Sequence, residues 1–303
     1  MSDKETFKQE LDARTAEIEQ LIGTYLPEET GHQKTIFEAM NYSMKAGGKR
    51  LRPMLMQEMC RLFTGTLLEA VIPFMAAVEM IHTSSLVHDD LPCMDDDMMR
   101  RGKASTWAEY GEDIGVLTGD ALMMYAFETA ANAFETSIDP DELSRIGRAM
   151  GILARKTGVY GMIGGQTVDV ELAGGPIPGD KLEFIYRLKT GALIEASMLI
   201  GAVLGGAAEE DCKIVESLAA KIGMAFQIQD DILDVTGSQD VTGKPSGSDE
   251  KNKKTTYVTL EGLDKAKKDV EQISTEAIEE LNKLPGNNDF LEQLISALVG
   301  RQK

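Results

Sequence analysis

A single all-α domain is the fold this sequence predicts, on three observations. Apolar residues recur at three- and four-residue intervals from Lys4 to Val299, strand signals are sparse, and no linker divides residues 1–303. With 43% apolar residues the chain can enclose a substantial core. The formal net charge of -19 argues against nucleic acid or an anionic membrane surface as partner. Cys60, Cys93 and Cys212 are an odd number without paired spacing, so neither a disulfide framework nor a zinc site is indicated. Met1 to Gln20 is charged throughout and is not a signal peptide. The longest apolar stretch, Ala192 to Ala208, is interrupted by Glu195 and falls short of spanning a bilayer. A soluble, cytoplasmic protein is expected.

Taken in order, Phe7, Leu11, Ile18, Leu21 and Ile22 make an amphipathic helix from Lys4 to Tyr25, stopped near Pro27. A second, Gln33 to Lys45, is ended by Gly47-Gly48. Pro53 suits the first turn of the next helix, which places Lys49, Arg50 and Arg52 on a short connector. There they either complement a helix dipole or cradle a phosphate with free backbone N–H groups. Val71, Phe74, Val78, Ile81 and Ser85 define a helix from Ala70 to Val87. Ile114 to Ala133 and Asp141 to Tyr160 are two more, with Met123, Met124 and Phe127 as adaptable filling. Gly164-Gly165-Gln166-Thr167-Val168-Asp169 breaks the periodicity, a kink at its simplest. From Lys181 to Val203 the buried stripe is Leu182, Ile185, Ala192, Ala196, Leu199 and Val203, and Lys189 falls inside it. Lysine is almost never buried unpaired, so Lys189 is a functional candidate. A helical run from near Ile214 ends at Asp234. Residues 237–254 lack an apolar period and read as a loop, solvated or closing over a site. Gly262 to Leu284 and Asn288 to Val299 are covering helices, followed by a basic tail, Arg301-Gln302-Lys303.

Two aspartate clusters carry the chemistry. In His88-Asp89-Asp90-Leu91-Pro92-Cys93-Met94-Asp95-Asp96-Asp97, followed by Arg100-Arg101-Gly102, carboxylates crowd the C-terminal end of an apolar helix. The helix dipole is already negative there, so a divalent cation is the natural neutraliser. Pro92 disfavours helical geometry at Leu91 and lets the chain loop back, bringing Asp95 within reach of Asp89 and Asp90. In the second cluster, Asp230-Asp231-Ile232-Leu233-Asp234, Asp230 and Asp234 share one helix face. Magnesium suits such all-oxygen sites, because it keeps waters and is completed by substrate phosphates. His82 lies two turns before Asp89 on nearly the same face, whereas His88 is structural.

Asp89-Asp90-x-x-x-x-Asp95 with Arg100-Arg101-Gly102, and Asp230-Asp231-x-x-Asp234 downstream, resembles the trans-isoprenyl diphosphate synthases. The four-residue spacer with its Pro is similar to that of bacterial farnesyl and plant-type geranylgeranyl diphosphate synthases. The resemblance covers about Gly47 to Tyr257. It implies the isoprenoid synthase fold, a bundle of about ten or more helices around a central cavity, and a homodimer. The implied ligands of three Mg²⁺ ions, which Mn²⁺ can replace, are Asp89, Asp90, Asp95, Asp230 and Asp234. Asp231 counts among the catalytic carboxylates. By the same resemblance Lys49, Arg52, His82 and Arg101 hold isopentenyl diphosphate. Arg100, Lys189, Thr190, Gln227, Lys244 and Lys254 hold the allylic diphosphate, with Gln166 and Asp169 behind them. Lys103-Ala104-Ser105-Thr106-Trp107 departs from the family's Pro-Thr-Asn/Thr-His pattern.

The implied reaction ionises an allylic diphosphate (dimethylallyl, geranyl or farnesyl). The double bond of isopentenyl diphosphate then attacks the cation, and the released diphosphate takes the proton. Farnesyl synthases of this type carry an aromatic floor five residues before the first aspartate. Here Ser84 and Ser85 stand instead, which deepens the pocket and admits a C20 product beside a C15 one. A class I terpene cyclase shares the helical fold and first motif. It would have an Asn/Ser/Glu triad in place of the second, and no use for Lys49, Arg52 and His82. A non-catalytic subunit of a hetero-oligomeric synthase would have lost aspartates or lysines.

Overall fold

The structure, a computed structural model, describes residues 3–236, 255–286 and 288–299. Lys244, Lys254, the expected loop 237–254 and the tail 301–303 lie outside the described residues. The elements are α1 (Asp3–Gly23), α2 (Lys34–Met44), α3 (Leu51–Thr64), α4 (Ile72–Asp89), a hairpin of β1 (Met99–Arg100) and β2 (Lys103–Ala104), α5 (Thr106–Tyr110), α6 (Glu112–Ala131), α7 (Pro140–Thr157), α8 (Met162–Glu171), α9 (Gly179–Ile185), a π turn (Tyr186–Gly191), α10 (Ala192–Leu204), α11 (Glu209–Thr236), α12 (Tyr257–Glu261), α13 (Leu263–Leu281) and α14 (Asp289–Val299). The all-α class is therefore as the periodicity requires. The chain folds as two compact units, residues 1–57 with 67–150, and 58–66 with 151–303.

In the first unit α4 is the core. Its residues are buried without a break from Pro73 to Ile81, so it carries apolar side chains all round instead of a stripe. A one-turn 3₁₀ entry, Glu69–Val71, precedes it, and Pro73 in its first turn needs no N–H partner. Helix α6 is its main packing neighbour. The His88 imidazole meets the carbonyl of Val116 at 3.2 Å, and a Cβ at Gly119 would stand 2.1 Å from the ring. Glu69–Asp89 is the stretch among the described residues that is long and apolar enough to cross a bilayer. Its apolarity is spent inside the unit, since 72% of the window is buried there.

The second unit is built on α10 and α11. Every residue of α10 is buried, including Glu195, which is paired with Lys156 at 2.5 Å. Lys156 also reaches Glu216 at 2.8 Å, so an acid inside an apolar run marks an ion triad that ties α7, α10 and α11. Helix α13 packs along α11 through Ala266 and Val270 against Ala225, Ile228 and Ile232.

Three expectations need correcting. Arg52 lies in the first turn of α3 and not on the connector, because the helix begins at Leu51. The Gly164–Asp169 stretch does not break a helix but lies inside α8. The helix expected over Lys181 to Val203 is interrupted by the π turn, whose wider coil shifts the apolar stripe, so Lys189 sits beside the buried face instead of within it.

Candidate active site

Helix α4 ends at Asp89, and the chain then turns back on itself. The N–H of Asp95 donates to the carbonyl of Asp89 (2.8 Å), that of Asp96 to Leu91 (3.1 Å) and that of Asp97 to Asp90 (3.1 Å). These bonds close a loop in which Asp89, Asp90 and Asp95 are brought together, as expected from Pro92. The loop is held from outside by Trp107, whose indole N–H donates to the carbonyl of Asp97 at 3.0 Å. Asp89 is half-buried and Asp95 exposed, whereas Asp90 is only 2% exposed. Arg100 Nε lies 3.0 and 3.2 Å from the two Asp90 carboxylate oxygens, and its NH2 donates as well. Burial raises the Asp90 pKa, and the Arg100 hydrogen bond opposes that rise.

The two arginines are presented differently because Arg100 ends β1 whereas Arg101 begins the two-residue hairpin loop. Arg101 and Gly102 both take positive φ, 52° and 79°, the geometry of a type I′ turn. For a non-glycine residue this costs about 1–2 kcal/mol, a strain typical of functional positions. Arg101 donates from the hairpin tip to the carbonyl of Gly47. A Cβ at Gly48 would stand 3.0 Å from its guanidinium, so the Gly47-Gly48 corner, ending one helix as expected, also makes room for an arginine. Arg50 is buried and structural: it bonds Glu79 at 2.8 Å and the carbonyl of Met44 at 2.8 Å. Lys49 precedes it on the exposed connector. Burial pushes the Arg52 and Arg101 guanidinium pKa values down. His82 is held well below its ordinary value, by burial first and then by Arg52, Arg101, Arg50 and Arg100. Arg52 and Arg101 thus stand near His82 as cations suited to an anion, while Arg50 is engaged by Glu79.

In the second unit the π turn is clasped by two helices. A Cβ at Gly165 of α8 would stand 2.3 Å from the backbone N of Lys189, and one turn on, Asp169 takes the Lys189 ammonium at 2.7 Å. On the other side α11 offers residues at four-residue steps. A Cβ at Gly223 would stand 2.8 Å from Gly191 Cα, Gln227 accepts from Thr190 at 2.9 Å, and Asp231 accepts from the Tyr186 hydroxyl at 2.5 Å. Lys189 with Asp169 and Thr190 with Gln227 are thus two bonded pairs. Gln166 is half-buried in α8. Asp230 and Asp234 are half-buried, one turn apart on α11, and Asp231 is 4% exposed, turned to Tyr186 and to the N–H of Tyr257 (2.8 Å). Sequence reasoning missed Tyr186, Tyr257 and Trp107. Their signal was slight: a tyrosine just before Lys189-Thr190, and a lone tryptophan at the departure from the family pattern.

Ser84 and Ser85 are not equivalent. Ser84 is fully enclosed, one turn from Met80 and one from His88, both of which meet α6. Ser85 is half-buried on the face shared with Asp89 and His82. Each hydroxyl donates back to its own helix, to Ile81 and His82 respectively.

The oxygen-only donors of both clusters fit magnesium. Among the described residues no three His, Cys, Asp or Glu side chains form a ready metal cage. Magnesium does not require one, being bound through one or two carboxylates and completed by water and phosphate.

The sequence profile of the polyprenyl synthetase family matches residues 33–296. The chain belongs to the polyprenyl synthetase family. Within that family it is 48% identical over 248 residues to a chloroplastic geranylgeranyl pyrophosphate synthase of Catharanthus roseus, covering 81% of this chain and 68% of that protein. It is 45% identical to the large subunit 1 of a chloroplastic heterodimeric geranylgeranyl pyrophosphate synthase of Arabidopsis thaliana, over 81% of this chain and 66% of that one. The chain therefore spans about two thirds of the length of these relatives. A solved FPP/GFPP synthase from Zymomonas mobilis, apo, superposes with TM-score 0.84 at 32% identity, covering 97% of this chain and 99% of that one. A geranyltransferase from Helicobacter pylori, solved with magnesium and isoprenyl diphosphate, gives 0.80 at 29% identity, covering 99% and 97%.

As a polyprenyl synthetase with these relatives, the protein is a short-chain trans-prenyltransferase of the isoprenoid synthase fold. Neither the cyclase nor the non-catalytic subunit is favoured. The cytoplasmic expectation is corrected, since relatives from Catharanthus roseus, Arabidopsis thaliana and Capsicum annuum are named as chloroplastic enzymes.

Proposed function

We propose that the chain acts as one catalytic domain, condensing isopentenyl diphosphate head-to-tail with dimethylallyl, geranyl and farnesyl diphosphates to all-trans geranylgeranyl diphosphate. The observation that carries this reading is the pair of arginines that follows the aspartate loop, Arg100 on the Asp90 carboxylate and Arg101 at the Gly47-Gly48 corner. Relatives named geranylgeranyl pyrophosphate synthase and the small Ser85 favour C20 over C15.

Lys49, Arg52, His82 and Arg101 hold isopentenyl diphosphate, the arginines as planar forks and His82 as a neutral donor. Arg100, Lys189, Thr190 and Gln227 hold the allylic diphosphate, with Lys244 and Lys254 assigned by resemblance alone. Asp89, Asp90, Asp95, Asp230 and Asp234 hold magnesium, as three ions, and accept manganese. When bound, the ions supply positive charge for the departing diphosphate. The Lys189 ammonium and Arg100 guanidinium stabilise the same charge. The allylic C–O bond breaks, the isopentenyl double bond forms the new C–C bond, and the proton passes to the released diphosphate.

Exposed Val116, Leu117 and Met124 on α6 suit burial against a second copy, so the assembly is read as a homodimer. The relatives' names support a plastid setting. Chromatography of the dephosphorylated products tests the length: geranylgeraniol is expected, and farnesol alone would show that a bulkier wall closes the pocket.

A further inference from the structure

We infer that Asp231 is a positioning residue, which fixes the register of the π turn on α11 and does not ligate the metal. The inference rests on the proposed prenyl transfer, in which that turn carries Lys189 and Thr190.

A π turn holds one residue more than the α-helix it interrupts, and nothing within its own coil prevents it from relaxing. Relaxation by one residue would rotate Lys189 and Thr190 by about 100°. Register must therefore come from outside. Along one face of α11, at four-residue steps, Gly223 admits the backbone of Gly191, Gln227 accepts from Thr190 and Asp231 accepts from the hydroxyl of Tyr186. Asp231 is thus the contact at the first residue of the turn, as Gly223 is at the last. Its Oδ2 also accepts from the backbone N–H of Tyr257 at 2.8 Å, and the Tyr186 hydroxyl lies 3.2 Å from the same N–H. One enclosed carboxylate oxygen therefore fixes both the start of the π turn and the start of α12. Asp230 and Asp234 lie on a different stripe of α11 and are half-buried, which leaves them placed for a cation.

Three variants separate the roles: Tyr186→Phe, which removes only the hydroxyl, Asp231→Asn, and Asp230→Asn as the metal control. Each is measured for Mg²⁺ binding with inorganic diphosphate by calorimetry, for amide exchange over residues 186–191, and for the KM of each substrate. Tyr186→Phe and Asp231→Asn should leave the Mg²⁺ half-saturation within about twofold. They should speed exchange in the π turn and raise the KM for dimethylallyl diphosphate about tenfold, the scale of one lost charged hydrogen bond. The KM for isopentenyl diphosphate should not move. Asp230→Asn should weaken Mg²⁺ binding about tenfold with exchange in the turn unchanged. The inference is overturned if Asp231→Asn weakens Mg²⁺ binding as much as Asp230→Asn, or if Tyr186→Phe leaves π-turn exchange at the wild-type rate. Should the wild type transfer no prenyl group, the proposed function falls while the exchange result still decides the positioning role. If Asp231→Asn does not fold, Tyr186→Phe carries the test.

Discussion

Among single residues, His82 makes the sharpest electrostatic statement. Its folded pKa lies well below the ordinary 6.5. Below pH 6.5 the unfolded chain takes up a proton that the folded chain refuses, so stability falls as the pH drops through that window. His82→Gln cannot titrate, and urea midpoints at successive pH values should show a shallower acid loss than wild type. Parallel curves for the two proteins would remove His82 from the account. At the product-length wall the two serines separate in the same residue-by-residue way. Ser85→Phe, on the face of Asp89 and His82, should shorten the product to C15 or below. Ser84→Tyr must enter a filled interface and should cost about 1–3 kcal/mol by thermal melting. Long products from Ser85→Phe at wild-type proportions would take that position out of the pocket.

At the scale of elements, the glycines that look like helix breakers are close-approach positions. Gly165→Ala would drive a Cβ into backbone at Lys189, and a loss of about 1–3 kcal/mol is expected. Gly147 on α7 has nothing within 4 Å, so Gly147→Ala should instead stabilise by about 0.5–1 kcal/mol. Equal melting temperatures for the two variants would contradict the packing argument. This is also where the sequence was least legible. A period-counting reading sees Gly165 as an interruption, because the partner that requires its missing Cβ, Lys189, is far along the chain. The π turn is invisible for the same reason: it is imposed by α8 and α11, not by the local propensity of Tyr186 to Gly191. By contrast the aspartate loop was legible, because Pro92 acts on the backbone next to it. Trp107, the single tryptophan of the chain, bonds the exit of that loop. Its emission should shift when Mg²⁺ and inorganic diphosphate are added, and should not shift in Asp89→Asn.

Over the whole molecule, a chain of net charge -19 is read as binding two diphosphates. Local arrangement resolves this: Arg52, Arg100 and Arg101 are read as the diphosphate cations, and the acidic clusters as sites for metal. The all-α class was legible because helical period pervades the sequence, and α4 was legible as an apolar helix that ends in the aspartate cluster. The compartment was misread, since the acidic composition and unpaired cysteines that suggested the cytoplasm are overturned by relatives named as chloroplastic. The most direct test of the central claim is incorporation of labelled isopentenyl diphosphate with dimethylallyl diphosphate and Mg²⁺, repeated with EDTA and with Asp89→Ala and Asp234→Ala. Acid-labile prenyl product is predicted in the first case alone, with a fall of at least about a hundredfold in either variant. Hydrocarbon formed without consumption of isopentenyl diphosphate, or product that persists in EDTA, would contradict it.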